Sequence, residues 1–289
     1  MKSRRNRKEE GFVLVLVLLI VALLMAMVVD FAYGIYVNMN GLNNLRTLEK
    51  LALQCSSLIE SSSGLLRQGI SSGVITPGAP EMEIPLEEDV TLFFKIDDEN
   101  GKFNVNYMLN QDGTIETIHY KSFKRLLAAL KLDEAIADKV ADWMDRDSNP
   151  MPLGNEKGAK NALLDSVAEL KLFIPQTAYA TLEPYITIYG EGGININTAS
   201  VPVLMSLSEE IDEETANRVL TYREHQPFKY ASDLQKVPGF ETITAGFLEL
   251  ITEKSSAYNL KARAEENGIK KMIEAVTDTD GRILYWRES

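Results

Sequence analysis

The stretch GFVLVLVLLIVALLMAMVV, Gly11 to Val29, decides how the rest of the chain is read. From Phe12 onward it holds 18 consecutive apolar residues, about 27 Å of helix at ~1.5 Å per residue, against a hydrocarbon core roughly 30 Å thick. It is long enough to span a bilayer. Lys2, Arg4, Arg5, Arg7 and Lys8 precede it, and with Glu9 and Glu10 they leave residues 1–11 at +3, so the remainder of a chain of net charge −12 carries −15. That asymmetry keeps the basic leader in the cytoplasm and sends the acidic body across the membrane. A cleaved secretory signal would have a shorter apolar region and a small-residue cleavage site, and VVDFAYG, Val28 to Gly34, offers no Ala-x-Ala.

The segment RRNRKEEGFVLVLVLLIVALL, Arg4 to Leu24, resembles a type IV prepilin leader: a short basic peptide ending in Gly11, then an apolar helix that starts at Phe12. The resemblance implies cleavage after Gly11 by a prepilin peptidase, methylation of the new amino terminus at Phe12, and retention of the helix as the anchor. Most pilin-like subunits carry Glu as the fifth mature residue, where it meets the terminal amine of a neighbour. Here that position is Leu16. A buried charge in hydrocarbon is costly without a partner, so a subunit with no neighbour beyond it has no use for the Glu, and Leu16 points to a tip position.

Beyond Tyr33 the chain turns amphipathic. Leu45, Leu48, Ala52, Cys55, Ile59, Ser62 and Leu66 recur at three- and four-residue steps and share one helical face. Cys55, the single cysteine, is expected there as a small buried hydrophobe and excludes an internal disulfide. SSGVITPGAP, Ser71 to Pro80, ends the helix. TLFFKIDDENGKFNVN, Thr91 to Asn106, reads as two strands joined at Asn100-Gly101. Helical spacing then dominates from about Tyr120 to Thr252, through Phe123, Leu126, Leu127, Leu130, Ile136, Val140 and Trp143 and again through LLDSVAELKLF. Strand character returns in AYNLKARAEENGIKKMIEAVTDTDGRILYWRE, with turns at Asn267-Gly268 and Asp280-Gly281. Strands, then helices, then strands describe a helical domain inserted into a small antiparallel sheet.

One stretch has ligand character. In DWMDRDSNPMPLGNE, Asp142 to Glu156, the oxygens of Asp145, Asp147 and Asn149 alternate as in calcium loops, and Glu156 follows a Pro/Gly turn from which it closes a shell. Asp142 lies one helical turn before Asp145 and points the same way. The bland alternative is a helix end followed by a solvated acidic turn. His119 and His225 are the only histidines, which rules out a multi-histidine centre.

FNVN at Phe103, DWMDRD at Asp142, NALLDSVAELKLF at Asn161, ININTASVPVL at Ile194 and ILYWRE at Ile283 resemble, in order and rough spacing, the landmarks of the general secretion pathway protein K family, the large minor pseudopilins of type II secretion systems. The resemblance implies an α+β fold: a pilin-like transmembrane helix and small antiparallel sheet, interrupted by a large, mostly helical insert with a helix-hairpin-helix-like segment. The expected divisions are a leader over 1–11, an anchor and amphipathic helix over 12–70, sheet over 81–106, the insert over 107–252, and the last of the sheet over 253–289. The family also implies calcium on the acidic segment, at Asp142, Asp145, Asp147 and Glu156, although Lys157 stands where the family usually has another acid. It implies a non-enzymatic role at the tip of the pseudopilus, starting and capping its assembly for export of folded proteins. The partners would be other minor pseudopilins and the major pseudopilin, in a bacterial inner membrane with the C-terminal domain periplasmic.

No nucleophile or cofactor signature of the common kinds is present: no G-x-S-x-G, Walker A, G-x-G-x-x-G or H-E-x-x-H. A second reading comes from ININTASVPVLMSL, Ile194 to Leu207, which resembles the start of a helix-hairpin-helix module, as in membrane-anchored competence DNA receptors. Such modules hold phosphate on glycine-rich hairpins. The first hairpin here, SLSEEIDEETANRVL, has no glycine and puts Asp212, Glu213 and Glu214 at the helix start; the second, VPGFETI, keeps Gly239 but has Glu241 at the second glycine position. Both phosphate sites are expected to hold carboxylates instead, with Ala199, Val203, Leu204, Leu207, Ala216, Val219 and Leu220 as ordinary core and the Asn195 and Asn197 amides tying the loop down. Arg218, Arg223, Lys229 and Lys236 are the residues that favour DNA. No nucleic-acid partner is expected.

Overall fold

The computed structural model describes residues 3–87, 89–147, 149–154 and 156–289; Met1 and Lys2 of the expected leader lie outside the described residues. Helix α1 (Ser3–Ser71) contains no proline, and its interior glycines at 11, 34, 41 and 64 have open space around them, so nothing interrupts it until Gly73 takes a positive φ of 72°. Strands β1 (Met82–Glu87) and β2 (Val90–Asp98) follow as an antiparallel pair. The chain then enters a helical region: β3 (Phe103–Asn104), α2 (Thr117–Ala129), α3 (Ala135–Met144), α4 (Gln176–Leu182), β4 (Ile186–Thr187), β5 (Ile194–Asn195), α5 (Val201–Met205), α6 (Glu213–His225) and β6 (Ile251–Thr252). It returns as β7 (Ala257–Glu266), β8 (Ile269–Asp278) and β9 (Ile283–Glu288). The main sheet runs β1-β2-β7-β8-β9 and is antiparallel throughout among the described residues.

The period-2 burial of β2 sends Val90, Leu92, Phe94 and Ile96 to one face, where α1 lies. There Leu51, Cys55, Ile59 and Leu66 pack against Leu260, Ala262, Ala264, Ile273 and Ala275. Each fully buried aliphatic side chain in such a layer contributes about 1.5–3 kcal/mol. The buried line differs from the expected one at its start: Leu45 is 59 % exposed and Leu51 is fully buried, because the sheet reaches α1 only from about Lys50 onward. Below that point Phe12 to Val29 has no protein cover.

Pairings along α1 fix its direction over the sheet. The Lys50 ammonium lies 3.5 Å from the Glu266 carboxylate, whereas Arg67 lies 3.3 Å from Asp280 in the β8–β9 turn. Because Ala257 pairs with Asp278 and Asp98 with Tyr258, the chain leaves and re-enters the sheet at the Arg67 end. The helical insert therefore sits at the end of the sheet far from the apolar segment.

Both turns expected in the last strands are present. Asn267 and Gly268 have φ of 50° and 83°, the two positive values a tight type I′ hairpin needs, and Gly281 has φ of 82°. The turn expected at Asn100-Gly101 does not join a hairpin. Gly101 is outside the positive-φ set, Glu99–Gly101 form a single 3-10 turn, and β3 pairs in parallel with β4 inside the insert. Phe103 and Val105 belong to the insert's core, so the first part of the sheet ends at Asp98 rather than Asn106. LLDSVAELKLF is likewise a 3-10 segment, Val167–Leu172, started by a capping box of Ser166 and Glu169.

Side chains redirect the backbone at Asp98. Asp98 accepts from the Asn100 N–H (2.8 Å), the Asn195 amide (2.9 Å) and the Thr198 and Ser255 hydroxyls (2.5 Å each). The Asn100 amide donates to the carbonyls of Glu191 (2.8 Å) and Gly193 (3.1 Å), and its oxygen accepts the Ser256 and Ala257 N–H groups (2.9 and 3.3 Å). Gly101 is needed for the approach, since a Cβ there would stand 2.9 Å from the Thr198 hydroxyl. Asn100→Ala strips partners from several buried backbone groups at once, each worth about 1–3 kcal/mol when orphaned. Urea unfolding of the detergent-solubilised chain should register a loss of about 3 kcal/mol; a loss below about 1 kcal/mol would mean that water replaces the amide at little cost.

Candidate functional site

Helix α3 carries Asp138 and Asp142, and Asp145 caps its C-terminal end, at steps of four and three residues. All three are buried. Asp138 does not join the other two. It accepts from Tyr120 (2.5 Å), Lys124 (3.2 Å) and the Leu153 N–H (3.1 Å), and so fixes the loop after the helix. Asp142 Oδ1 accepts the Met151 N–H at 2.9 Å, and a Cβ on Gly154 would fall 1.8 Å from Asp142 Oδ2. Only glycine at 154 lets the returning loop come this close.

The loop delivers Glu156 to Asp142 and Asp145, and one carboxylate oxygen from each lies within 4.8 Å of the others. Asp145 Oδ1 and Glu156 Oε1 are buried and accept no hydrogen bond from any described residue. Burial first, and then the charges of Glu156, Asp147 and Asp142, push Asp145 up to about 6; burial and the charges of Asp142 and Asp147 raise Glu156. Asp147 is brought near without joining the group: it is exposed, and its Oδ1 accepts the Asn149 N–H at 2.6 Å. Ser148 and Asn155 lie outside the described residues. A set of convergent carboxylate oxygens with neither imidazole nor thiolate suits a hard divalent cation. Sequence reading missed Asp138, Met151 and Gly154; the 138-142-145 spacing was the available signal for Asp138.

At the leader junction, Gly11 and Phe12 lie within α1, with Phe12 69 % exposed. The second candidate region opens with α5 and α6. Asp212 caps α6 by accepting the Thr215 N–H at 2.8 Å, with Glu213 and Glu214 in the first turn. Gly239 has φ of 97°, and its N–H is taken by the Glu241 carboxylate at 2.8 Å. After it the chain forms a 3-10 turn, Thr244–Gly246. Arg218 pairs with Glu214, Lys236 with Asp233, and Arg223 donates to the Ile196 and Ala199 carbonyls. Arg218, Lys236 and Arg223 thus have partners within the chain, and the Gly239 N–H holds the Glu241 carboxylate. Asn197 ties the loop as expected, donating to Phe228 and Glu253 carbonyls and accepting the Phe228 N–H.

Comparison with known proteins gives one consistent result. Two family models, both described as type II secretion system (T2SS), protein K, match residues 101–191 and 194–252. The type II secretion system protein K of Pseudomonas aeruginosa is 31% identical over 177 residues, 54% of this chain and 52% of that protein. The protein of the same description from Dickeya chrysanthemi is 30% identical over 141 residues, 42% of this chain and 40% of its own. The matched region thus spans about half or less of these curated relatives. A chain in the crystal structure of the GspK-GspI-GspJ complex from the enterotoxigenic Escherichia coli type 2 secretion system has a TM-score of 0.68 at 15% identity, covering 87% of this chain and 99% of its own. It shares the fold.

The raised Asp145 has a consequence for pH. Its value is about 6 in the folded protein and near 3.8 when unperturbed, so between these limits the folded chain binds more protons than the unfolded one. Its contribution to stability is therefore full at low pH and is lost as pH rises through about 6. In chelator, the chain should melt at a higher temperature at pH 5 than at pH 7, and Asp145→Asn should remove most of that difference. Circular dichroism melting checks both.

Proposed function

The chain belongs to the type II secretion system protein K family, and on that premise we propose that it is a minor pseudopilin at the tip of a type II secretion pseudopilus, where it starts and caps the short fibre that exports folded proteins. The observation that carries the tip reading is the placement of the insert. It leaves the sheet at Asp98 and returns at Ala257, at the end marked by the Arg67–Asp280 pair and remote from the apolar half of α1. In a fibre whose axis follows the packed helices, that is the space a further subunit would need. Leu16 supports the same end, since it offers no carboxylate to the amine of another copy.

The exposed run from Phe12 to Val29 serves as the single inner-membrane anchor, with the acidic body in the periplasm. A prepilin peptidase removes the leader after Gly11, and Phe12 becomes the methylated mature terminus. Other minor pseudopilins are the partners that the GspK-GspI-GspJ neighbour suggests, with the major pseudopilin below them. The role is one of assembly rather than catalysis.

Asp142, Asp145 and Glu156 hold calcium in this reading, with Asp147 at the rim. The ion supplies the positive charge that lets three converging carboxylates stay ionised. Calcium should raise the pH 7 melting temperature of the detergent-solubilised chain relative to chelator, and Asp145→Ala/Asp147→Ala should blunt the response; identical curves would remove calcium from the account. The tip assignment is tested on sheared fibres by gold labelling, together with intact mass of the membrane-extracted chain. Label at one end and a terminus at Phe12 are expected, whereas label along the whole fibre at the stoichiometry of the major subunit would overturn the tip reading.

A further inference from the structure

The face of the sheet turned away from α1 meets the insert across a cleft of about 550 Å³. Strand alternation puts Asn259, Lys261, Glu274, Tyr285 and Arg287 on that face, and Lys171, Tyr179 and Tyr189 look back from the insert. This volume is within the range of ligand sites. None of these residues belongs to the acidic cluster or to the hairpin region.

Three features show what the cleft lacks. Asn259 is 6 % exposed; its Nδ2 donates to Glu274 at 2.9 Å, while its Oδ1 accepts no hydrogen bond from any described residue. Lys171 rests its ammonium 4.5 Å from the Tyr179 ring centroid and has no carboxylate within ion-pair distance among the described residues. The rings of Tyr189 and Tyr285 lie 6.2 Å apart, tilted by 44° to one another, their hydroxyls making no hydrogen bond to another described residue. Asn259 can still accept an N–H donor, Lys171 suits an anion, and the two tyrosine rings offer an apolar wall beside it. Lys102 pairs with Glu99, Lys261 with Asp97 and Glu274, and Arg287 with Glu274, so Lys171 is the cation of this lining left without a carboxylate among the described residues.

The rim of the cleft selects among ligands offering those groups. Tyr285 and Arg287 belong to β9, whose only strand neighbour among the described residues is β8. Met272 and Ser289 exchange both backbone hydrogen bonds, so in the alternating antiparallel pattern Arg287 and Tyr285 also bond inward, and the N–H and C=O of Trp286 and Glu288 point outward, up to the bulge at Leu284. A strand laid on that edge would send every second side chain into the cleft beside Tyr285 and Arg287. A chain with backbone N–H and C=O groups for the β9 edge and an acidic side chain for Lys171 meets both of those demands.

We propose that the cleft and the free edge of β9 form one binding site for an extended acidic peptide segment of a partner protein. Its backbone pairs with β9, one carboxylate side chain reaches Lys171, and an alternate one shares Arg287 with Glu274.

The test uses the full chain in detergent and a fluorescein-labelled peptide of alternating glutamate and threonine, read by anisotropy. Saturable binding is expected, weakened at least about tenfold by Lys171→Glu/Arg287→Glu. The same peptide N-methylated at alternate residues should bind at least about tenfold more weakly, since it cannot complete the strand ladder. A lysine-threonine peptide should not bind. No saturable binding by the acidic peptide, equal binding of the N-methylated or lysine peptide, or indifference to the charge reversals would each overturn the proposal. Unchanged circular dichroism of the double variant separates lost binding from lost fold.

Discussion

The carboxylate of Asp98 and the amide of Asn100 sit where the chain leaves the sheet, and between them they hold the other passages through the same space, at 191–198 and 255–257. Inserting about half of a protein into a sheet requires the departing and returning strands to stay adjacent while the backbone between them abandons the ladder. The orphaned N–H and C=O groups at such a joint must find partners, because burying them unpaired is costly. Here short side chains supply them. Asn104 and Asn106 continue the arrangement inward, donating to the Tyr189, Gly190 and Leu164 carbonyls, and Asn195 and Asn197 repeat it from the other side. Burial pushes Asp98 upward while its four donors pull the other way, so its carboxylate is held only as long as the joint is closed.

With that joint fixed, the two faces of the sheet have different tasks. One is apolar and takes α1 along Leu51, Cys55, Ile59 and Leu66, which couples the folded body to the apolar segment through one continuous helix. The other carries Lys95, Asp97, Lys261, Glu274 and Arg287, a mixed-charge surface laced by ion pairs. The insert leans over this second face and leaves a cleft rather than a packed core. Burying those charges would demand a partner for every one of them.

Charge also decides what the helical scaffold can do. In the region after α5, Asp212 takes the Thr215 N–H and Glu241 the N–H of the positive-φ Gly239, so these donors are used by the chain itself. In the acidic loop the situation is reversed. Asp145 and Glu156 are brought together with no donor from the described residues to compensate them, and Gly154 is kept small so that the loop can close over Asp142.

Features governed by local rules were legible in the sequence: the length of the apolar run, the helical face that buries Cys55, the positive-φ turns at Asn267-Gly268 and Gly281, and the carboxylates in place of hairpin glycines. Each depends on residues within a few positions of one another. The joint was misread for the opposite reason. Asn100-Gly101 has the composition of a hairpin turn, and only Thr198, Gly193 and Ser256, roughly a hundred residues away or more, make it a junction instead. The grouping of Glu156 with Asp142 and Asp145 was suggested by spacing, but their approach depends on Asp138 and Gly154 shaping the loop. The cleft, with Asn259 and Lys171 from segments far apart in sequence, left no local pattern to read. Sequence by itself determined which elements form and which way each buries its apolar side. Tertiary structure decided which polar groups meet, because a hydrogen bond or ion pair between distant segments depends on where the packed core brings the chain back.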